Sequence, residues 1–202
     1  MEMDVFAELF GSKEKSRLIR FFLFNSQMVI SASELAKKNK LQLTETRKAL
    51  RSLLKIDFVR ERTKKNQKQY SLHSEFPYSS QLYHLISASN TLEQCKNLSR
   101  LRRSPAVKFA AVSGLFTDSQ KSVVDLLIVV SDARRAKIDK SIEYIEAEVG
   151  KEIRYALLDV EEFKYRMEML DRFLKDFFEG KYEEIVNRMP ALPRVIQSLQ
   201  KK

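Results

Sequence analysis

TETRKALRSLLKIDFVRERTKKNQKQYSL, residues 44–72, carries the two elements on which the fold turns. Thr44 is placed to cap a helix, TETRKALRSLLKIDF, whose Leu50, Leu53 and Leu54 share one face. Arg47, Lys48, Arg51 and Lys55 fall on the opposite, solvent side by the same periodicity. Phe58–Arg62 and Gln69–Leu72 then read as two short strands. Between them Thr63-Lys64-Lys65-Asn66-Gln67-Lys68 makes a polar turn with three lysines. A helix with a basic face is followed at once by a basic hairpin.

Upstream, GSKEKSRLIRFFLFNS predicts another helix, capped by Ser12, with Leu18, Ile19, Phe22 and Leu23 on one apolar face. Ser31 with Glu34 three residues later is a capping box, so a short helix starts there with Leu35 inward. Asn39 and Lys40 break it. Helix, short helix, helix and basic hairpin, carried by SASELAKK and TETRKALRSLLKIDFVRER, resembles the winged helix-turn-helix of regulators of the ArsR and MarR type over residues 10–72.

That resemblance implies a third helix lying in the major groove of DNA and a wing gripping phosphates alongside it. The residues expected to contact DNA on the helix are Thr44, Arg47, Lys48, Arg51 and Lys55, with Arg47, Lys48 and Arg51 reaching base edges or adjacent phosphates. On the wing they are Arg60, Arg62, Lys64, Lys65 and Lys68, which mostly bind phosphate and set affinity without reading sequence. The same charges also suit a solvated helix face and a hairpin kept soluble by lysines, and some winged helices bind protein instead.

Charge follows the same division. The 202 residues carry 37 Lys/Arg against 27 Asp/Glu, a net +10. Residues 1–104 hold 20 against 10, and residues 105–202 hold 17 against 17, so by halves the whole excess lies in the first, as expected if it meets a polyanion. Four Gly and four Pro favour helices and short connections. Cys95 alone rules out an internal disulfide framework, and with His73 and His84 makes no zinc-type cluster. No apolar run is long enough to span a bilayer, and the first residues lack the order of a signal peptide, so a soluble cytoplasmic protein is expected.

The sequence divides into a DNA-binding domain at 1–76, a connecting helix at 77–104 and a third region at 105–202. In the connector Leu82, Leu85, Ile86, Leu92, Cys95, Leu98 and Leu101 lie on a helical stripe, which either packs on its own domain or pairs two copies. Cys95 is read there as a small core residue. Beyond it, Ala106–Val112 and Val123–Val130 predict strands, the second buried on both faces. Ser131 or Asp132 caps a helix through Glu148 with Ile138, Ile142, Ile145 and Val149 inward, and Gly150 ends it. Ile153–Leu158 is a third strand, Glu161–Glu179 one amphipathic helix, and a short helix through Asn187 precedes a basic tail. The fold class is α+β, with a small mixed sheet in the second half.

Ser113-Gly114 after the first of these strands and VDLLIVV in the second resemble the minimal nucleotidyltransferase fold of the DNA-polymerase-beta-like kind, over about residues 105–160. In active members a Gly-Ser turn holds the nucleotide phosphates, two aspartates one residue apart bind two Mg²⁺, and a third carboxylate sits on the next strand. Here Ser113 and Gly114 match the turn in reversed order, Asp125 matches the second aspartate, and Val123 stands at the first. IRYALLD offers only Glu152 and Asp159 at its ends, and nothing fixes Asp118 near the site. Two-metal chemistry needs several carboxylates converging on ions about 3.5–4 Å apart. The resemblance therefore implies a degenerate nucleotide site at Ser113, Gly114 and Asp125, with no catalytic residue, metal or cofactor.

The expected function is transcriptional regulation by sequence-specific DNA binding, with the second domain as scaffold, dimerisation or sensing module. Candidate partners are double-stranded DNA, a second copy of the chain and a small-molecule or nucleotide effector, with no membrane. Two other readings stay open. One is a Mg²⁺-dependent nucleotidyltransferase acting on a protein or small molecule. The other is an antitoxin-like module that binds a protein partner.

Overall fold

Ser12 accepts from the Lys15 N–H and Ser31 makes both bonds of a capping box with Glu34, so two helices start where their side-chain oxygens satisfy the first free amides. These are α2 (Lys13–Phe24) and α3 (Ala32–Lys38); α1 (Val5–Leu9) precedes them and β1 (Ile30–Ser31) lies between. The structure, a computed structural model, describes residues 5–88, 95–117, 122–131 and 135–190. It is α+β and clusters into two units, Met1–Asn90 with Glu143–Glu152, and Thr91–Ile142 with Ile153–Lys202. No helix among the described residues is long and apolar enough to cross a membrane.

In the first unit α4 (Leu43–Lys55) follows α3, and β2 (Val59–Lys64) and β3 (Gln67–Leu72) form a hairpin. The three-stranded sheet is antiparallel in the order β1-β3-β2, with Ile30 opposite Tyr70 and Arg62 opposite Gln69. Leu18, Phe22, Leu35, Leu50, Leu53 and Phe58 fill the core at 2 % exposure or less. Burying a side chain of this kind stabilises by about 2 kcal/mol. Thr44 does not cap α4. Gln42 is the N-cap, without a side-chain bond, and Thr44 already lies inside the first turn. The Leu41 N–H is bound by the Ala36 carbonyl and Leu41 packs on the core, so the chain turns into the helix earlier than Thr44.

The hairpin turn is also tighter than the six-residue one expected. Only Lys65 and Asn66 lie between the strands, at φ 49° and 59°, the two positive values of a two-residue turn matched to strand twist. Thr63, Lys64, Gln67 and Lys68 are therefore strand residues with defined faces. Two arginines of α2 are buried: Arg17 donates to the Asn39 carbonyl at 2.8 Å, and Arg20 lies 5.0 Å over the Phe6 ring and donates to the Glu148 carbonyl at 2.9 Å. At Gly150, φ +83°, an added Cβ would stand 2.9 Å from Arg20 Cβ and 3.0 Å from Phe21 N, so residues 143–152 lie directly on α2.

The connector is not one helix. α5 (Ser79–Ala88) and α6 (Leu98–Arg103) are separate, and Cys95–Asn97 is not helical. Ile86 is buried in the first core, while Cys95, Leu98 and Leu101 are buried in the second unit and Leu85 is exposed. Most of the expected stripe is thus consumed within the two units; Leu92 lies outside the described residues.

The second unit contains β4 (Val107–Val112), a 3₁₀ turn at Gly114–Phe116, β5 (Leu126–Val130), α7 (Arg135–Val149, shared with the first unit), β6 (Tyr155–Asp159), α8 (Val160–Glu168), α9 (Arg172–Glu179) and β7 (Glu183–Asn187). Its mixed sheet has the order β6-β5-β4-β7, with β5 and β6 parallel and the other pairs antiparallel. All five β5 residues are buried, as a strand covered on both faces requires. Ile138, Ile142, Ile145 and Val149 of α7 are buried too, and Gly150 follows its end.

Two helices expected in this unit take a different form. The helix expected over Glu161–Glu179 is two helices, because Leu170 adopts φ 53° and Asp171 caps α9 by accepting from the Leu174 N–H. The helix expected through Asn187 is strand β7, which pairs with β4 and buries Ile185 and Val186 while Glu183 and Glu184 stay exposed. Phe109, Phe163, Phe177 and Phe178 form the aromatic centre of this unit.

Candidate nucleic-acid interface

Periodicity splits α4 cleanly. Thr46, Ala49, Leu50 and Leu53 are buried, and Thr44, Glu45, Arg47, Lys48, Arg51 and Lys55 are exposed. All five helix residues expected at DNA therefore share the solvent face, with Glu45 among them. Thr46 Oγ1 donates to the Gln42 carbonyl at 2.9 Å, tying the first turn while that face stays open.

The hairpin residues divide between two faces. Arg60, Arg62 and Lys64 alternate along one face of β2, and their partners across the ladder are Ser71, Gln69 and Gln67. Glu61 and Thr63 lie on the other face with Lys68 and the buried Tyr70. Lys68 is thus separated from the arginines and paired to Glu61 at 2.7 Å. The Lys68 ammonium holds the Glu61 carboxyl below its ordinary range against partial burial, and Glu61 in turn holds the Lys68 ammonium higher. Burial, then Glu61, pushes the Tyr70 phenol up, while Lys68 and Arg47 oppose. Tyr70 is buried in the same core as Ala49, Leu50 and Leu53 of α4. Arg60 pairs with Glu75 at 3.5 Å, and Lys65 sits at the turn.

Glu61 was not singled out from sequence, although strict alternation along RERTK would have put it opposite the arginines. Its role is testable. Glu61→Gln is expected to release Lys68 and remove one negative charge, tightening duplex binding a few-fold and steepening the salt slope by up to about 0.9. An unchanged slope in a salt titration would place Lys68 away from the phosphates.

No family model, curated protein or solved structure matches this chain.

The second group expected from sequence, Ser113, Gly114 and Asp125, does come together, but its polar groups are already engaged. Asp125 Oδ1 accepts from the Leu115 N–H at 3.0 Å and Arg154 Nη2 at 2.9 Å. Its Oδ2 accepts from the Arg154 N–H at 3.0 Å and Arg154 Nε at 3.1 Å. A carboxylate offers about four such acceptor positions, and here each is used. Burial pushes the Asp125 carboxyl up, but the guanidinium and the two backbone N–H groups outweigh it and hold the carboxyl below the usual aspartate range.

Ser113 Oγ donates to the Lys181 carbonyl at 2.6 Å, and Thr117 Oγ1 donates to the same oxygen at 3.3 Å. Gly114, at φ +49°, lies under the carboxylate so closely that an added Cβ would collide with Asp125 Oδ1. Val123 is exposed. Asp118 lies outside the described residues, and among the described residues no group of three His, Cys, Asp or Glu side chains converges as a metal would require. The arrangement suits a clamp joining the turn after β4 to the residue before β6. Arg154, the partner that defines it, was not identified from sequence, where 29 residues of separation carry no signal.

Charge is apportioned differently by unit than by half. The first unit takes in the acidic segment 143–152 and holds 17 Lys/Arg against 13 Asp/Glu. The second takes in basic residues 91–104 and holds 20 against 14. Both units are basic.

Proposed function

We propose that this chain is a DNA-binding transcriptional regulator, whose first unit is a winged helix of the ArsR and MarR kind. On this reading α4 enters the major groove and the β2–β3 hairpin is the wing. One observation carries it: the exposed face of α4 presents Thr44, Arg47, Lys48, Arg51 and Lys55 together, beside a hairpin bearing Arg60, Arg62, Lys64, Lys65 and Lys68. A 13-residue helix is about 20 Å long, enough to cross the groove with several side chains at base edges. The order α2, β1, α3, α4, β2, β3 supports the reading, because it sets the hairpin directly after the basic helix on one small core.

The second unit is proposed as a nucleotidyltransferase-like scaffold that does not transfer nucleotides. Asp125 would have to give up at least one of its four hydrogen bonds to reach a metal ion, and Ser113 its bond to Lys181 to reach a phosphate.

Selection of bound duplexes from a random pool at near-physiological salt tests the main reading. The expected result is an enriched motif, palindromic if two copies bind together. Failure to retain duplex even at low salt would sink it.

A further inference from the structure

We infer that the second unit carries its own phosphate-binding surface, formed where α6 meets β4 and β7. The inference extends to a second surface the reading that this chain meets nucleic acid. From Cys95 to Thr117 the chain has five Lys/Arg and no Asp/Glu. Three of the six residues of α6 are arginines, Arg100, Arg102 and Arg103, all exposed opposite the buried Leu98 and Leu101.

Hydrogen bonds to backbone carbonyls bring one further cation there, Arg188. Arg188 donates through Nη1 to the Ser104 and Val107 carbonyls at 2.6 and 2.8 Å, and through Nη2 to the Arg102 carbonyl at 2.6 Å. The Arg188 N–H bonds the Lys108 carbonyl at 2.8 Å, and Arg102 Nε donates to the Ile185 carbonyl at 3.1 Å.

A carbonyl fixes a guanidinium in place without cancelling its charge. Among the described residues Arg102, Arg103, Lys108 and Arg188 form no ion pair with a carboxylate, although Glu183 and Glu184 lie on β7; Glu184 accepts instead from the Asn187 amide at 3.0 Å. Arg102 and Arg188 are held together through the Ile185 and Arg102 carbonyls, and two guanidiniums so placed favour an anion that bridges them. Arg103 on the same helix and Lys108 on β4 add charge to the surface. Arginine forks match the oxygens of a phosphodiester, and a nucleic-acid backbone supplies such anions in series. The cluster is not built to read bases: its charges sit on a six-residue helix, on the interior strand β4 and just past the end of β7.

The test measures duplex affinity against salt for the full chain. Arg103→Gln/Lys108→Gln is expected to weaken binding several-fold at near-physiological salt and to lower the log–log slope by about 1 to 2, at −0.9 per phosphate contact. Arg103→Lys, which keeps the charge, should retain the wild-type slope. Lys64→Ala/Lys65→Ala on the hairpin serves as the comparison. If the hairpin pair flattens the slope and the Arg103/Lys108 pair leaves it unchanged, the inference is overturned while the function proposed for the first unit stands. If the Arg103/Lys108 pair weakens binding and neither the hairpin pair nor Arg47→Ala does, the first-unit reading falls and the inference survives. Wild-type protein that binds no duplex at low salt removes both. Competition by an acidic polypeptide as strong as that by duplex would assign the surface to a protein partner and overturn the inference.

Discussion

Arg47→Ala and Arg51→Ala are each expected to weaken specific duplex binding by about 1–3 kcal/mol, roughly 5- to 150-fold. The two residues lie one helical turn apart on the exposed face of α4, and Ala49, Leu50 and Leu53 anchor the opposite face in the core. Because neither guanidinium is buried, stability should change by no more than about 0.5 kcal/mol, which separates a binding defect from unfolding. The pattern of loss also separates two roles. A base reader relaxes preference at one position of the selected motif. A phosphate contact weakens all sequences alike and flattens the salt slope by about 0.9. Undiminished affinity in both variants, measured by anisotropy on the selected motif, would take α4 out of the interface.

Asp125→Ala is expected to destabilise the second unit by about 3 kcal/mol. Breaking a buried ion pair from one side costs about 3–5 kcal/mol, and the low end applies because the Arg154 side chain is 58 % exposed and can turn to water. The larger part of the loss comes from stranding the Leu115 and Arg154 N–H groups. Arg154→Ala should therefore cost less, about 1 kcal/mol, since both backbone donors keep the carboxylate. Thermal unfolding followed through the second unit checks the order of the two, and equal losses would mean that the side-chain pair dominates.

The pH dependence has a definite sign. The folded carboxyl titrates below its unfolded value of about 3.9, so its contribution is complete at neutral pH and is lost as pH falls below that value. Asp125→Ala should lose this part of the acid sensitivity. Added Mg²⁺ is expected to leave the wild-type melting temperature unchanged; a rise that disappears in Asp125→Ala would restore a metal-binding role.

The parts of the fold that were legible from sequence are those governed by neighbours along the chain. Ser12, and Ser31 with Glu34, start their helices as their spacing requires, and the apolar period of α4 sorts its residues correctly. Where pairing across the chain decides, sequence was less informative. EEIVN has glutamates that favour helix, yet lies in β7 because β4 offers it a ladder and a place for Ile185 and Val186. The break between α8 and α9 contains no Gly or Pro; its one local sign is Asp171, three residues before the amide that it caps. At the candidate sites the exposed charges of α4 follow from period alone. The Glu61–Lys68 pair depends on hairpin register, and the Asp125–Arg154 pair on parallel pairing of β5 with β6.

The segment Glu143–Glu152 has a consequence for how the chain can be made and cut. The first unit is discontinuous: Arg20 and Asn25 bond carbonyls of Glu148 and Gly150, which emerge from the ribosome well after residue 90. Its folding cannot finish until the strands β4 and β5 of the other unit have already been synthesised. A fragment ending between residues 90 and 104 would leave α2 without these partners, so the units are two in space but interleaved in synthesis.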